Sequence, residues 1–143
     1  MANHSLASFN PGFRRVFAPG KLTLGLFFPI EAYKTDIPTL AQQAERASKA
    51  DQAGFAALWC RDTPLRDPEF GDVGQILDPW VWMTSMLAHV QHATLATGSL
   101  ILPLRHPLHL AKAATSLDQL SNGRLLLGLA SGDRASEFPA FGV

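Results

Sequence analysis

The stretch "TGSLILPLRHPLHLAKAATSLDQLSNGRLLLGLASGD", residues 97–133, decides the fold, because it reads as strand, helix, strand. The apolar run "ATLATGSLIL" (93–102) leads into a stiff turn bracketed by Pro103 and Pro107, with Arg105 and His106 between them. Pro107 suits a first helical turn, where no intrahelical partner is needed for its missing N–H. Leu110, Ala114 and Leu117 then share one face, and Gly123 ends the helix. "RLLLGLA" (124–130) is a second apolar run, and it ends in the small polar turn Ser131-Gly132-Asp133. Runs that are apolar on both faces are typical of parallel strands covered on both sides. The Gly98-Ser99 pair interrupts the first run, and a glycine inside a strand marks a bulge or a close approach of backbone to a ligand.

The same unit recurs toward the N-terminus. "KLTLGLFF" (21–28) and "FAALWCRD" (55–62) are two more strands of this kind. Between them, "PTLAQQAERASKADQAG" (38–54) predicts a helix opened by Pro38, with Leu40, Ala44 and Ala47 on one face and Gly54 at its end. "DPWVWMTSMLAHVQH" (78–92) predicts another, capped by Asp78, with Pro79 in the first turn and an apolar stripe of Trp82, Met83, Met86, Leu87 and Val90. Strand starts fall about 30 to 40 residues apart, the spacing of βα units. The order β-α-β-α-β-α-β with right-handed crossovers gives a parallel sheet. It fits either an open doubly wound sheet or an arc of a (β/α)8 barrel, whose complete form takes about 250 residues. In both, long loops after the strands carry function, and "TPLRDPEFGDVGQILDP" (63–79) is such a loop.

The totals narrow the function. With 143 residues the chain forms one domain: residues 1–20 are read as an N-terminal surface arm and 21–143 as the folded unit. Formal net charge is zero and there is no basic run, so nothing favours a nucleic acid or an anionic membrane as partner. No stretch has the length of a membrane span, and the first twenty residues lack a signal-peptide core, so the expected location is the cytoplasm. The single cysteine, Cys60, excludes an internal disulfide and fits a reducing compartment.

Several chemistries are absent. The glycines match neither the dinucleotide fingerprint nor the phosphate-loop pattern. His89/His92 and His106/His109 have a ligand-like spacing, but no Cys or Glu-x-x-His accompanies them, and no metal is expected. Cys60, beside Trp59 within a strand, reads as packing rather than nucleophile. Arg61 and Asp62 close the second strand, as catalytic groups at a barrel mouth or as a salt-bridged strand end. Phe27 and Phe28 close the first strand and point to opposite faces, so one can line a pocket while the other packs under a helix.

These motifs carry a family resemblance. "TGSLILPLRHPLHLAKAATSLDQLSNGRLLLGLASGDRASEFPAFG" resembles the bacterial-luciferase-like flavin-dependent oxidoreductases, most closely through Leu117-Asp118-Gln119-Leu120-Ser121-Asn122-Gly123-Arg124. "GKLTLGLFFP" and "AERASKADQAGFAALWCRD" fit in register, so the resemblance covers about residues 20 to 143. It implies parallel (β/α) repeats forming about half of a TIM-type (β/α)8 barrel, here the N-terminal half. It also implies reduced flavin (FMN, or in some branches a 5-deazaflavin coenzyme) at the C-terminal mouth, a non-prolyl cis peptide at Gly98-Ser99, and a monooxygenase reaction with dioxygen on a small organic substrate.

On that resemblance Gly98, Ser99, Ser131, Gly132 and Asp133 would bind cofactor, Phe27 and Phe28 would line the substrate pocket, and Asp62 is the acid–base candidate. Expected partners are a flavin reductase as source of reductant and a second copy or a second half-barrel. One departure is visible: luciferase-type members often carry a His after the acidic residue ending the second strand, and here Thr63 and Pro64 follow Asp62. A non-catalytic half-barrel assembly module and a deazaflavin-dependent hydride-transfer enzyme are the alternatives.

Overall fold

The computed structural model describes residues 10–29, 40–67, 69 and 76–143. Four strands, β1 (Gly25–Phe28), β2 (Ala57–Cys60), β3 (Thr94–Ile101) and β4 (Leu125–Ala130), form one parallel sheet in the order β1-β2-β3-β4. Spatial order follows chain order throughout. A doubly wound sheet places its first strand inside and reverses direction at a switch point. There is no reversal here, and an unreversed run of βα units is how a barrel wall is built. The α/β repeats expected from the sequence are therefore present, in the order of a barrel segment.

Helices α2 (Gln43–Gln52), α3 (Pro79–Met86) and α4 (Pro107–Leu120) follow β1, β2 and β3. Between sheet and helices lies the core. The register Leu58↔Leu95↔Leu125 sets three leucines side by side, each at most 5% exposed. Ala47 and Ala50 of α2, Trp82, Met83 and Met86 of α3, and Leu117 of α4 close over them. Burying each such aliphatic side chain is worth about 1.5–3 kcal/mol. Trp82, Met83 and Met86 are buried on α3 as expected, but the helix ends at Met86, short of the expected 92, so Leu87 and Val90 follow it in the turn; Asp78 caps the helix by accepting from the N–H groups of Trp80 and Val81.

Three further expectations change. The first strand is shorter than 21–28: Leu22 and Leu24 stand out of the sheet, 89% and 58% exposed, because no described strand continues alongside them. Leu40 does not belong to α2, which begins at Gln43 after left-handed residues at Leu40 and Gln42; Pro38, the expected opener, lies outside the described residues. The segment read as an arm contains helix α1 (Pro11–Val16), docked under the sheet. The side chain of Asn10 caps α1 and donates to the Leu125 carbonyl at 2.8 Å and to Asp118 at 3.2 Å. The Gly12 N–H donates to the Gly123 carbonyl at 2.9 Å, and the Thr94 hydroxyl donates to the Gly12 carbonyl at 3.1 Å. So α1 plugs the N-terminal ends of β3 and β4.

Asp51, at the end of α2, performs a similar task for the turn before β3. Its carboxylate accepts from the N–H groups of Gln91 (2.8 Å), His92 (3.0 Å) and Ala93 (2.6 Å). Burial pushes its pKa up, but those three donors prevail and hold it below the usual carboxylate range. A carboxyl with a lowered folded pKa stabilises above its unfolded pKa of about 3.9 and loses that contribution as pH falls through the folded value. Asp51→Ala leaves the buried Ala93 N–H and its neighbours without an acceptor, and should cost about 2–4 kcal/mol in urea unfolding at pH 7. The gap should shrink toward pH 2; a variant as stable as wild type at neutral pH would refute this role.

Candidate functional site

The C-terminal ends of β2, β3 and β4 open onto one cleft of about 310 Å³. Gly98, Ser99, Ser131, Gly132 and Asp133 all line it, with Asp62 at its side. The five residues expected to contact cofactor thus come together from two strand ends. Arg61 and Arg134 bring positive charge to the same walls.

Its floor is backbone. The Gly98-Ser99 peptide is cis, and the pairing of β3 with β4 shifts register between Thr97 and Leu100. Thr97 compensates for the shift, as its hydroxyl donates to the Gly128 carbonyl and accepts the Gly128 N–H, both at 3.0 Å. Position 98 is tight: a Cβ there would lie 3.0 Å from the Phe27 ring, which would have to move aside. Phe27 is 56% exposed on the inner face of the sheet, with its centroid 6.1 Å from that of Trp59. Phe28 does not line the pocket. It is 2% exposed on the helix-facing side, its ring centroid 5.2 Å from that of Trp82, because alternate residues of a strand face opposite ways.

Asp62, the acid–base candidate, takes the other of its two expected readings, the salt-bridged strand end. Only 2% of its side chain is exposed, and Arg105 grips it from the next loop, with Nη2 at 2.6 Å from Oδ1 and Nε at 3.0 Å from Oδ2. The Ile101 N–H donates to Oδ2 at 3.0 Å. A carboxylate held by a two-pronged guanidinium and an amide orients its neighbours; it is not presented for proton exchange with a ligand. Arg105 also approaches Asp78, the cap of α3, at 3.6 Å. Cys60 lies behind the sheet, its thiol directed at the Ala96 carbonyl, and burial followed by the charges of Asp62 and Asp78 pushes its pKa up to about 12. That agrees with packing rather than nucleophilic chemistry.

The turn after β4 holds residues that sequence reading missed. Gly132 has φ +88°, and a Cβ there would meet Ile101 at 2.8 Å, so only glycine brings this turn onto β3. Arg134 is 3% exposed, and Glu137, at the start of α5 (Glu137–Ala140), is fully buried with Oε1 3.9 Å from the Arg134 Nε. Among the described residues neither Glu137 carboxylate oxygen makes a hydrogen bond of good geometry. Burial pushes its pKa up; Arg134 opposes this, while Asp62 and Asp133 add to it and the nearby Leu65 N–H acts to lower it. Ser136 donates to Asp67 at 2.9 Å and so ties the turn to the loop after β2. In "GDRASEFPAFG" the Arg-x-x-Glu spacing was the available signal, but it looks like any solvated helix start.

The description "Luciferase-like monooxygenase" matches residues 22–143, the whole sheet and every helix but α1. The chain belongs to the luciferase-like monooxygenase family. Among similar proteins are limonene 1,2-monooxygenase of Rhodococcus erythropolis, 29% identical over 71% of this chain and 25% of its own length, and F420-dependent hydroxymycolic acid dehydrogenase of Mycobacterium tuberculosis, 30% identical over 83% of this chain and 31% of its own. The oxygenating constituent of 3,6-diketocamphane monooxygenase from Pseudomonas putida, solved in complex with FMN, superposes with TM-score 0.71 at 22% identity, over 86% of this chain and 33% of that one. This luciferase-like chain therefore spans about a quarter to a third of the proteins it matches. Among the described residues, no helix is long and apolar enough to cross a membrane, and no cluster of three potential metal ligands occurs.

Glu137 gives this family member a testable pH signature. A carboxyl whose folded pKa is raised stabilises fully below its unfolded value of about 4.3 and loses that contribution as pH rises toward the folded value. Glu137→Gln keeps the shape and cannot ionise. Its unfolding free energy relative to wild type should therefore increase between pH 4 and pH 8, read as urea midpoints at each pH. A flat difference across that range would mean Glu137 is charged in the fold.

Proposed function

We propose that the chain supplies the flavin-facing N-terminal wall of an oxidoreductase that uses reduced flavin, FMN in the first instance, and dioxygen to oxygenate a small organic substrate. The observation that carries this reading is the convergence of Gly98, Ser99 and the Ser131-Gly132-Asp133 turn on one cleft beside the exposed Phe27 ring. That arrangement fits a planar ring with a polar edge: peptide backbone and an aromatic ring make a flat wall, and hydroxyl, carboxylate and guanidinium groups stand at its rim. When bound, reduced flavin supplies the electrons and the site of oxygen activation. Gly98 and Ser99 support the ring, Phe27 excludes water from its face, and Ser131 and Asp133 offer partners to its polar edge. Asp62 and Arg105 keep the strand ends in place.

A hydride-transferring, 5-deazaflavin-dependent enzyme is the second reading. It is favoured by Thr63 standing where luciferase-type members carry a His, and by the similarity to the mycobacterial F420-dependent dehydrogenase. In the oxygenating reading, a flavin reductase supplies the reduced cofactor. The barrel fold commonly holds a cofactor phosphate with loops after strands seven and eight. The described sheet has four strands, so affinity of this chain alone is expected to be weak.

Titration with FMN, and separately with a 5-deazaflavin coenzyme, followed by fluorescence, tests the site. Saturable binding weakened about tenfold or more by Gly98→Val supports it, since that variant must push Phe27 aside. No saturation with either cofactor, or equal affinity in a folded Gly98→Val chain, rejects it.

The sheet edges support a pairing partner. Among the described residues β1 pairs only with β2 and β4 only with β3, leaving two parallel edges open. Open edges with apolar neighbours such as Phe27 and Leu129, 56% and 50% exposed, associate in water. A second copy or a complementary half-barrel would cover them. Sedimentation velocity on the isolated chain should show dimers or larger species, and a stable monodisperse monomer would contradict the expectation.

A further inference from the structure

At the opposite end of the strands from the cleft, the plug helix α1 and the turns before β3 and β4 enclose a second cleft, of about 510 Å³. Arg14 and Arg15 of α1, His92 before β3 and Arg124 before β4 all line it. Four basic side chains thus converge from three separate segments of a chain whose formal net charge is zero. None of the four takes part in an ion pair among the described residues. The acid whose charge reaches Arg124 is Asp51, and its carboxylate is buried and engaged by three backbone N–H groups.

One of the four, Arg124, is held in place by its own hydrogen bonds, while Arg14, Arg15 and His92 are exposed. Arg124 donates from Nε to the Ser121 carbonyl at 2.8 Å and from Nη1 to the Ala93 carbonyl at 3.1 Å, which leaves the Nη2 side of its planar fork unused. The bonds of Asn10 and Gly12 to the β4 region fix the backbone of α1, which carries Arg14 and Arg15, against the same turn. A helix C-terminus favours basic residues through its dipole, which accounts for Arg14 and Arg15 on α1. It does not account for their convergence with Arg124 and His92. Burial lowers the pKa of Arg124; the Asp51 charge opposes this and the neighbouring Arg15 adds to it.

We propose that this N-terminal cleft binds a small multivalent oxyanion, a diphosphate or a phosphorylated small molecule, at a site separate from the flavin-facing cleft. The concave shape and the fixed guanidinium fork suit a compact phosphate group, which accepts paired N–H donors.

Calorimetric titration of the full chain with inorganic pyrophosphate, at ionic strength held constant with sodium chloride, tests the site. Saturable one-to-one binding is expected, with inorganic phosphate weaker. The double variant Arg14→Gln/Arg15→Gln, whose changes lie on exposed positions, should bind about tenfold or more weakly, the effect of losing charge-assisted hydrogen bonds. Arg124→Lys, with folding followed by circular dichroism, should also weaken binding, because lysine keeps the charge and loses the fork. Pyrophosphate heats no larger than those of chloride, unchanged affinity in the double variant, or binding of polyglutamate in place of pyrophosphate would each overturn the proposal.

Discussion

Arg105, in the turn after β3, reaches two carboxylates at the two ends of the loop between β2 and α3, and the mouth of the sheet depends on that grip. Its guanidinium binds Asp62 at the end of β2 and approaches Asp78 at the cap of α3, while it sits itself in the turn between β3 and α4. Loops at the C-terminal ends of parallel strands have no ladder to hold them. A buried carboxylate without its partner is strongly unfavourable, so removing either side of the pair would release both loops. The Ile101 N–H adds the end of β3 to the same carboxylate, and the Gly132 turn then packs on Ile101. The Asp62–Arg105 pair and the tight Gly132 contact thus join the ends of β2, β3 and β4 around the cleft.

The two ends of the sheet are closed by different means. At the N-terminal end, α1 and Asp51 satisfy backbone groups directly: Asn10, Gly12 and Asp51 together tie the turns before β3 and β4 to the helices. At the C-terminal end the closure is made by charged side chains around an opening. This is the usual division in βα folds, where one end serves stability and the other presents ligands. The basic cleft under α1 departs from that division, since it places ligand-type groups at the stabilising end.

The features written locally in the sequence were legible. Asp78-Pro79 and Pro107 mark helix starts, Gly123 marks a helix end, and the apolar runs mark strands whose pairing follows chain order. The linked motif from Gly98 to Arg124 carried the family resemblance, and the resemblance implied both the cis peptide and the residues that line the cleft. Features depending on residues far apart in the chain were not legible. Asp62 and Arg105 are 43 residues apart, and nothing in "CRDTP" says that the acid is already occupied. Glu137 has the composition of an exposed helix start, and only the packing of the β4 turn onto Ile101 buries it. The docked α1 was missed for the same reason: Asn10 and Gly12 find their partners more than eighty residues later.

The position of the single thiol has a practical side. Cys60 points away from the ligand-facing surface, into a region that water and electrophiles reach only if the helices part from the sheet. With its ionisation suppressed, an alkylating reagent meets almost no thiolate in the intact molecule. The natural sequence thus carries its own sensor of opening: the rate at which Cys60 takes up such a reagent measures how often the layer between helices and sheet comes apart.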